Sequence, residues 1–299
     1  MDRPLGSSRV PGQGWDVMTD PNREQIELWN GVFGPRWVAH QESLDRVWGP
    51  LGDATIECAT VLTGERVLDV GCGCGATALQ LTERVGPAGS VVGIDVSGPM
   101  LARARERAEV LGIANVRFVN ADASTYTSDV AFNLVFSRAG IMFFRDPIGA
   151  FANLRHVLRP GGRLAFVCFR DQGLNPWWTV PLAAVAPIAK PETPAVSDGP
   201  GVFSLADARR LRAVIEQSGF VDAAYNPVDF DLLLGTDIES ATEFSINAGA
   251  AAKVLSSLDG KLRARGRLAI SQSLSRNAGP NGVTLRAATW IVLARNPCS

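Results

Sequence analysis

A doubly wound α/β fold built around a parallel sheet is the architecture this sequence predicts, and three observations predict it. The short apolar run Val67-Leu68-Asp69-Val70 passes into glycines at 71, 73 and 75, the pattern of a buried strand that turns sharply into a helix starting near Ala76. Further strand-like runs follow at βα spacing: residues 90–94 ending in Asp95, residues 116–119 ahead of Asp122, residues 132–136, and residues 164–169. A chain of 299 residues is long enough to bury one large core around such a sheet.

Taken in order, the elements define what the fold can bind. Glycines at 71, 73 and 75 let the backbone turn and let a ligand approach without a Cβ in the way. Asp69 stands at the end of the first strand, where open parallel sheets bind ligands, and its charge suits a ligand with a positive end better than a pyrophosphate. The same loop satisfies the dinucleotide fingerprint as Gly71-x-Gly73-x-x-Ala76, a weak signal by itself. Asp95, about twenty residues beyond the glycines, can accept both hydroxyls of a ribose. Asp122, in Asn120-Ala121-Asp122-Ala123, can accept from an adenine amino group. Leu158-Arg159-Pro160-Gly161-Gly162-Arg163-Leu164 then turns a helix over 148–158 into the fifth strand at 164–169.

With these elements in order, residues 64–169 resemble the class I S-adenosylmethionine-dependent methyltransferases. The resemblance implies a Rossmann-like, mostly parallel seven-stranded sheet with an antiparallel last strand lying between its neighbours, and helical lid insertions. It implies S-adenosyl-L-methionine as cofactor, with Gly71, Gly73 and Gly75 at its methionine part, Asp69 facing the ammonium directly or through water, Asp95 at the ribose and Asp122 at the adenine. Cys72, Val96, Met100, Ala123 and Ser137 complete the implied cofactor set. In texture the chain is similar to quinone-biosynthesis and natural-product methyltransferases, which implies methyl transfer to oxygen, nitrogen or carbon of a small, largely apolar or aromatic metabolite of cofactor or secondary metabolism. A nicotinamide-dependent oxidoreductase, a same-fold enzyme using the cofactor for a cyclisation or rearrangement, and a non-catalytic cofactor-binding protein are the other classes left open.

Composition narrows the partners. Net charge is −1 and the positive charges are scattered; Arg103, Arg105 and Arg107 point in different directions on a helix, so no basic stripe for nucleic acid is formed. No apolar stretch reaches the length of a membrane span. Residues 1–21 are polar, with several Gly and Pro and no apolar signal core, and read as a flexible tail on a soluble cytoplasmic protein. Homo-oligomer formation is left open. The five cysteines are an odd number in apolar surroundings, which argues against a disulfide framework. Cys72 and Cys74 lack a second ligand pair at zinc spacing among Cys58, Cys168 and Cys298, so no metal is expected.

Three additions flank the implied cofactor core of residues 64–170. In a helical lid over 22–63, Ile26, Trp29 and Phe33 recur at helical spacing, Gly34-Pro35 breaks the pattern, and a second helix from Arg36 carries Trp37, His40, Leu44 and Val47 on one stripe. A second lid insertion, 171–204, holds six prolines, the pair Trp177-Trp178 and a short helix over 177–189. Residues 205–299 complete the core, with strands at 225–233 and 284–294 and a two-helix insertion at about 237–276. The family fold places these additions where the transferred methyl emerges. Trp29, Trp37, Phe143 and Trp177 are therefore candidate substrate contacts, although packing explains each of them taken singly.

Acid–base candidates are few. Of the two histidines, His156 falls on an outer helix, whereas the resemblance places His40 over the active site as a candidate base; a core histidine held by a carbonyl is its structural reading. Arg138, in Ser137-Arg138-Ala139-Gly140, follows strand four close to the reacting end in the family fold. It is either a grip for a substrate carboxylate or phosphate, or the partner of Asp146 or another lid carboxylate. The Asp/Asn-Pro-Pro-Tyr/Phe motif of many amino-group methyltransferases is missing at this point, which speaks against DNA bases and protein amides as substrates.

Overall fold

The computed structural model describes residues 22–189, 199–249 and 251–298. The tail expected over 1–21 lies outside these residues, as do 190–198 of the second lid insertion. In chain order the elements are α1 (Arg23–Asn30), α2 (Phe33–Ala39), α3 (Gln41–Ala59), β1 (Arg66–Val70), α4 (Ala76–Val85), β2 (Ser90–Asp95), α5 (Gly98–Val110), β3 (Val116–Asn120), β4 (Phe132–Arg138), α6 (Pro147–His156), β5 (Leu158–Phe169), α7 (Pro176–Ala189), α8 (Ala208–Gln217), β6 (Val221–Gly235), α9 (Ile238–Asn247), α10 (Ala251–Ser256), α11 (Gly260–Leu274), β7 (Ala278–Gly279) and β8 (Gly282–Arg295).

The sheet runs β3-β2-β1-β4-β5-β8-β6, with the two-residue β7 paired to β8 off this path as an eighth strand. Strands β1 to β5 pair in parallel, and β8 lies antiparallel between β5 and β6. The central strands are buried on both faces, so they read as near-continuous apolar runs: Val67 and Leu68 in β1, Leu134 to Phe136 in β4, and Leu164 to Val167 in β5 are fully buried. Strand order reverses between β1 and β4, which opens the ligand crevice of a doubly wound sheet at their carboxyl ends. Gly71 and Gly140 meet there: a Cβ on Gly71 would come within 2.8 Å of Gly140 Cα.

Several local expectations change. Gly34-Pro35 does not break a helix, because Pro35 falls in the first turn of α2, where no backbone N–H is required. The breaks are at Gly31 and at His40, which ends α2 and precedes α3. Trp37 and His40 consequently do not share a stripe with Leu44 and Val47. The turn before the fifth strand is a bulge within β5: pairing passes from Phe132↔Leu158 to Leu134↔Arg163, with Gly161 at positive φ donating its N–H to Asn296 O (3.1 Å). The insertion between β6 and β8 holds three helices, α9 to α11, rather than two. α8 was not anticipated, although Leu211, Val214 and Ile215 bury one helical face and the Asp207 side chain caps it by accepting from Arg210 N.

Candidate active site

The carboxyl ends of β1, β2, β3 and β4 and the first turns of α3 enclose one cavity, roofed by α1, α2 and α7. Its floor is the loop after β1. Gly71, Gly73 and Gly75 all have positive φ (68°, 54° and 85°), which side-chain-bearing residues adopt only with strain. A Cβ on Gly73 would strike Met100 Cε at 2.8 Å, so Met100 closes over the loop and its glycine keeps the cradle open. Gly75 has another task. It starts α4 and is packed against Ala104 and Phe118, away from the cavity wall.

Asp95 is fixed at the cavity wall by the loop it serves. Gly73 N–H donates to its Oδ2 and Ser97 N–H to its Oδ1, each at 2.8 Å. Burial pushes its carboxyl above the ordinary range, and these backbone donors pull the other way. Each oxygen keeps a further acceptor position, the number a ribose diol needs. Asp122, also on the wall, accepts from Ser124 N–H at Oδ1 (2.8 Å) and from Asn22 Nδ2 at Oδ2 (2.7 Å).

Asp69 stands behind the loop rather than on the wall. It is fully buried; Thr77 Oγ1 donates to its Oδ2 at 2.6 Å, while Oδ1 has no partner. Burial pushes its carboxyl up to about 7. The residues together fit a nucleoside with a positively charged tail: a cradle that a Cβ would fill, a diol-suited carboxylate at Asp95, and an orphaned buried oxygen one layer below.

The roof is aromatic and divides in two. Trp29, Trp37 and Phe143 pack together, with Trp29 at 5.6 Å from Trp37 and 5.5 Å from Phe143, above the β2 and β3 ends. Trp177 belongs to a second group with Trp48 (4.8 Å) and Phe169 (4.9 Å), over α3 and β5. Helix α1 is laced to the loop that carries Asp95. Asn30 Nδ2 donates to Val96 O (2.8 Å), Gly98 N–H to Asn30 Oδ1 (2.9 Å), and Ser97 Oγ to Trp29 O (2.8 Å).

Of the expected cofactor residues, Gly71, Cys72, Gly73, Asp95, Val96, Met100, Asp122 and Ala123 line the cavity, and Asp69, Gly75 and Ser137 do not. Ser137 is buried and its hydroxyl is spent on Val70 O (2.8 Å), tying β4 to β1. All four aromatic candidates line the cavity. His40 does not: it faces a separate polar depression with Arg46, Arg103 and Glu106, because the helix break at this residue turns it away from the α3 stripe. Arg138 lines the cavity and is not paired with Asp146, whose carboxylate caps α6 by accepting Gly149 N–H (3.0 Å). Three α3 residues on the wall were missed. They are Gln41, Asp45 and Trp48, on the helical face that buries Leu44 and Leu51. Asp45 accepts from Gln41 Nε2 (2.6 Å) and pairs with Arg107 (2.9 Å). Cys72 and Cys74 are buried on the wall, and burial pushes the Cys74 thiol up to about 12, so neither is a ready nucleophile. Among the described residues no three His, Cys, Asp or Glu side chains are grouped to hold a metal, and no helix is long and apolar enough to cross a membrane.

Fold and site together define an α/β protein of the doubly wound type with a glycine-lined crevice at its strand ends. Residues 67–162 match the family model described as a methyltransferase domain. An aklanonic acid methyltransferase of Streptomyces sp. (strain C5) is 38% identical over 118 residues, 39% of this chain and 54% of the relative. A demethylmenaquinone methyltransferase of Thermus thermophilus is 42% identical over 115 residues, 38% of this chain and 51% of the relative. The chain thus spans about half the length of the curated relatives it matches. The YcgJ protein of Bacillus subtilis has the same fold, with a TM-score of 0.54 at 17% identity over 83% of this chain and 99% of that one. Over residues 67–162 the chain is thus similar to methyltransferase domains, the similarity that its glycine loop and strand-end acids imply.

Proposed function

We propose that the chain is an S-adenosylmethionine-dependent methyltransferase acting on a small, largely apolar or aromatic metabolite. The observation that carries the reading is Asp95, pinned by Gly73 and Ser97 at the wall of a glycine cradle in the switch-point crevice. The relatives reported above are, by name, methyltransferases of aklanonic acid and of demethylmenaquinone, so the non-methylating readings of the fold are not favoured. When bound, the cofactor supplies a methyl group on a sulfonium for in-line displacement. Asp95 would hold the ribose, Asp122 the adenine edge, the glycine loop the methionine part, and Asp69 the ammonium from one layer beneath. The two aromatic groups supply an apolar, water-poor chamber in which the acceptor is positioned, and positioning supplies much of the rate in such a displacement.

The test is calorimetry with S-adenosylmethionine on wild type and Asp95→Ala. Micromolar binding is expected, weakened roughly 100-fold in the variant through loss of two charge-assisted hydrogen bonds. Heat from a nicotinamide dinucleotide, with none from S-adenosylmethionine, would refute the reading.

A further inference from the structure

Arg138 is the one cation on the cavity wall, and among the described residues its guanidinium makes no hydrogen bond and no ion pair. The wall carboxylates are already engaged: Asp45 by Gln41 and Arg107, Asp95 by two backbone N–H groups, and Asp122 by Asn22 and Ser124. Burial holds the Arg138 guanidinium below its ordinary value despite the fields of Asp45, Asp69 and Asp53. A partly buried cation without a fixed partner is costly, so the missing partner is best supplied by what binds in the cavity.

A second orphan belongs to the wall of the same cavity. Trp48 Nε1 is buried without an acceptor, whereas its neighbour Trp177 spends its own indole N–H on Asn175 Oδ1 (3.0 Å). Both are tied to one stretch of α3. Gly52 is one helical turn beyond Trp48 on α3, and a Cβ there would lie 3.3 Å from Arg138 Cδ, so the arginine stem crosses α3 at that turn. Trp48, Phe169 and Trp177 wall this end with mutual ring separations of 4.8 to 5.7 Å, a surface suited to a flat apolar body.

We propose that Arg138 and Trp48 Nε1 form a subsite for an ionised oxygen, carboxylate or phenolate, on an aromatic acceptor whose ring system lies among Trp48, Phe169 and Trp177. This deepens the proposed function, naming the acceptor as an aromatic acid. The charge is matched by the guanidinium and the oxygen accepts from the indole. Arg138 is then a substrate-binding residue.

Binding is measured by tryptophan fluorescence at pH 8 with two probe pairs. They are 2-naphthoate against its methyl ester, and the anion of 4-nitro-1-naphthol against its methyl ether. At least one acid is expected to bind tenfold or more tightly than its neutral partner, and which one identifies carboxylate or phenolate. Arg138→Gln is expected to weaken the preferred acid by about 10- to 100-fold while leaving the neutral partner unchanged, with partial rescue in Arg138→Lys. Trp48→Phe, which keeps a ring and removes the N–H, is expected to cost about 3- to 10-fold for the acid alone. The wild-type acid preference needs no variant to fold. Absence of that preference for both pairs, or equal loss of acid and neutral binding in Arg138→Gln, overturns the subsite. Binding is read without methyl transfer, so this result is separate from the S-adenosylmethionine calorimetry that decides the proposed function.

Discussion

Asp69 sits fully buried at the end of β1 with one oxygen held by Thr77 and the other unpartnered. Its carboxyl titrates near 7 in the folded chain against an ordinary value of 3.8. Between those values the folded protein keeps a proton that the unfolded chain releases, so this group lowers stability as pH rises from about 4 to about 7. Asp69→Asn keeps an acceptor for Thr77 and removes the titration. The variant is expected to match wild type near pH 4 and to exceed it at pH 8 by a few kcal/mol, at about 1.4 kcal/mol per pKa unit. Urea unfolding of both proteins across that range checks it, and a difference that stays constant with pH would show that burial of Asp69 is not the cause. At this scale the sequence signals that reach the cavity wall are short-range ones. Gly71, Gly73, Asp95 and Asp122 each stand at the end of a strand or within three residues of it, so strand and loop fix them together. His40 and Trp48 depend instead on where a helix breaks and which way it is phased, and no local pattern supplied either.

Among the elements, α3, β1 and β5 are joined at the end of the sheet away from the cavity by one arginine. Arg163 donates to both oxygens of Glu65 (2.6 and 2.7 Å), to Ala59 O (2.7 Å) and to Thr60 O (2.8 Å), with only 18% and 8% of the two side chains exposed. It closes the C-terminus of α3 onto the sheet, and α3 carries Asp45 and Trp48 into the cavity. Arg163→Met would leave two carbonyls without donors and the buried Glu65 carboxylate with only the Leu62 N–H (2.9 Å), an expected loss of about 3 kcal/mol in unfolding free energy. A shift of the urea midpoint by less than a third of that would mean water replaces the guanidinium without cost. The strand–helix alternation of the core was legible because its periodicities differ clearly, period two or continuous apolar against 3.6. The insertions were less so. α9 to α11 run close together with breaks at Ala248 and Ser257–Asp259, where no proline stands and only Gly249 and Asp259-Gly260 interrupt the helical residues.

For the molecule as a whole, the sheet order was implied by family resemblance, while the closure of the cavity follows from contacts between distant segments that sequence pattern does not encode. α1 shows how weakly one side of the roof is held. It has no buried residue and is attached to the 96–98 loop by Asn30, Trp29 O and Ser97, and to Asp122 through Asn22 at its start. An element of this kind opens at little free-energy cost unless a ligand bridges it to the floor. Because the loop it grips also fixes Asp95, ligand binding and roof closure are coupled through shared residues. Amide exchange over α1 and α2 is therefore expected to be fast in the free protein and at least roughly tenfold slower with S-adenosylhomocysteine bound, while β1, β4 and β5 are protected in both states. Asn30→Ala, which removes two of the fastenings from an exposed position, is expected to weaken that ligand about tenfold without lowering the melting temperature. Protection of α1 equal in both states, or a variant that melts lower and binds as before, would make the helix a fixed wall of the site rather than its closing lid.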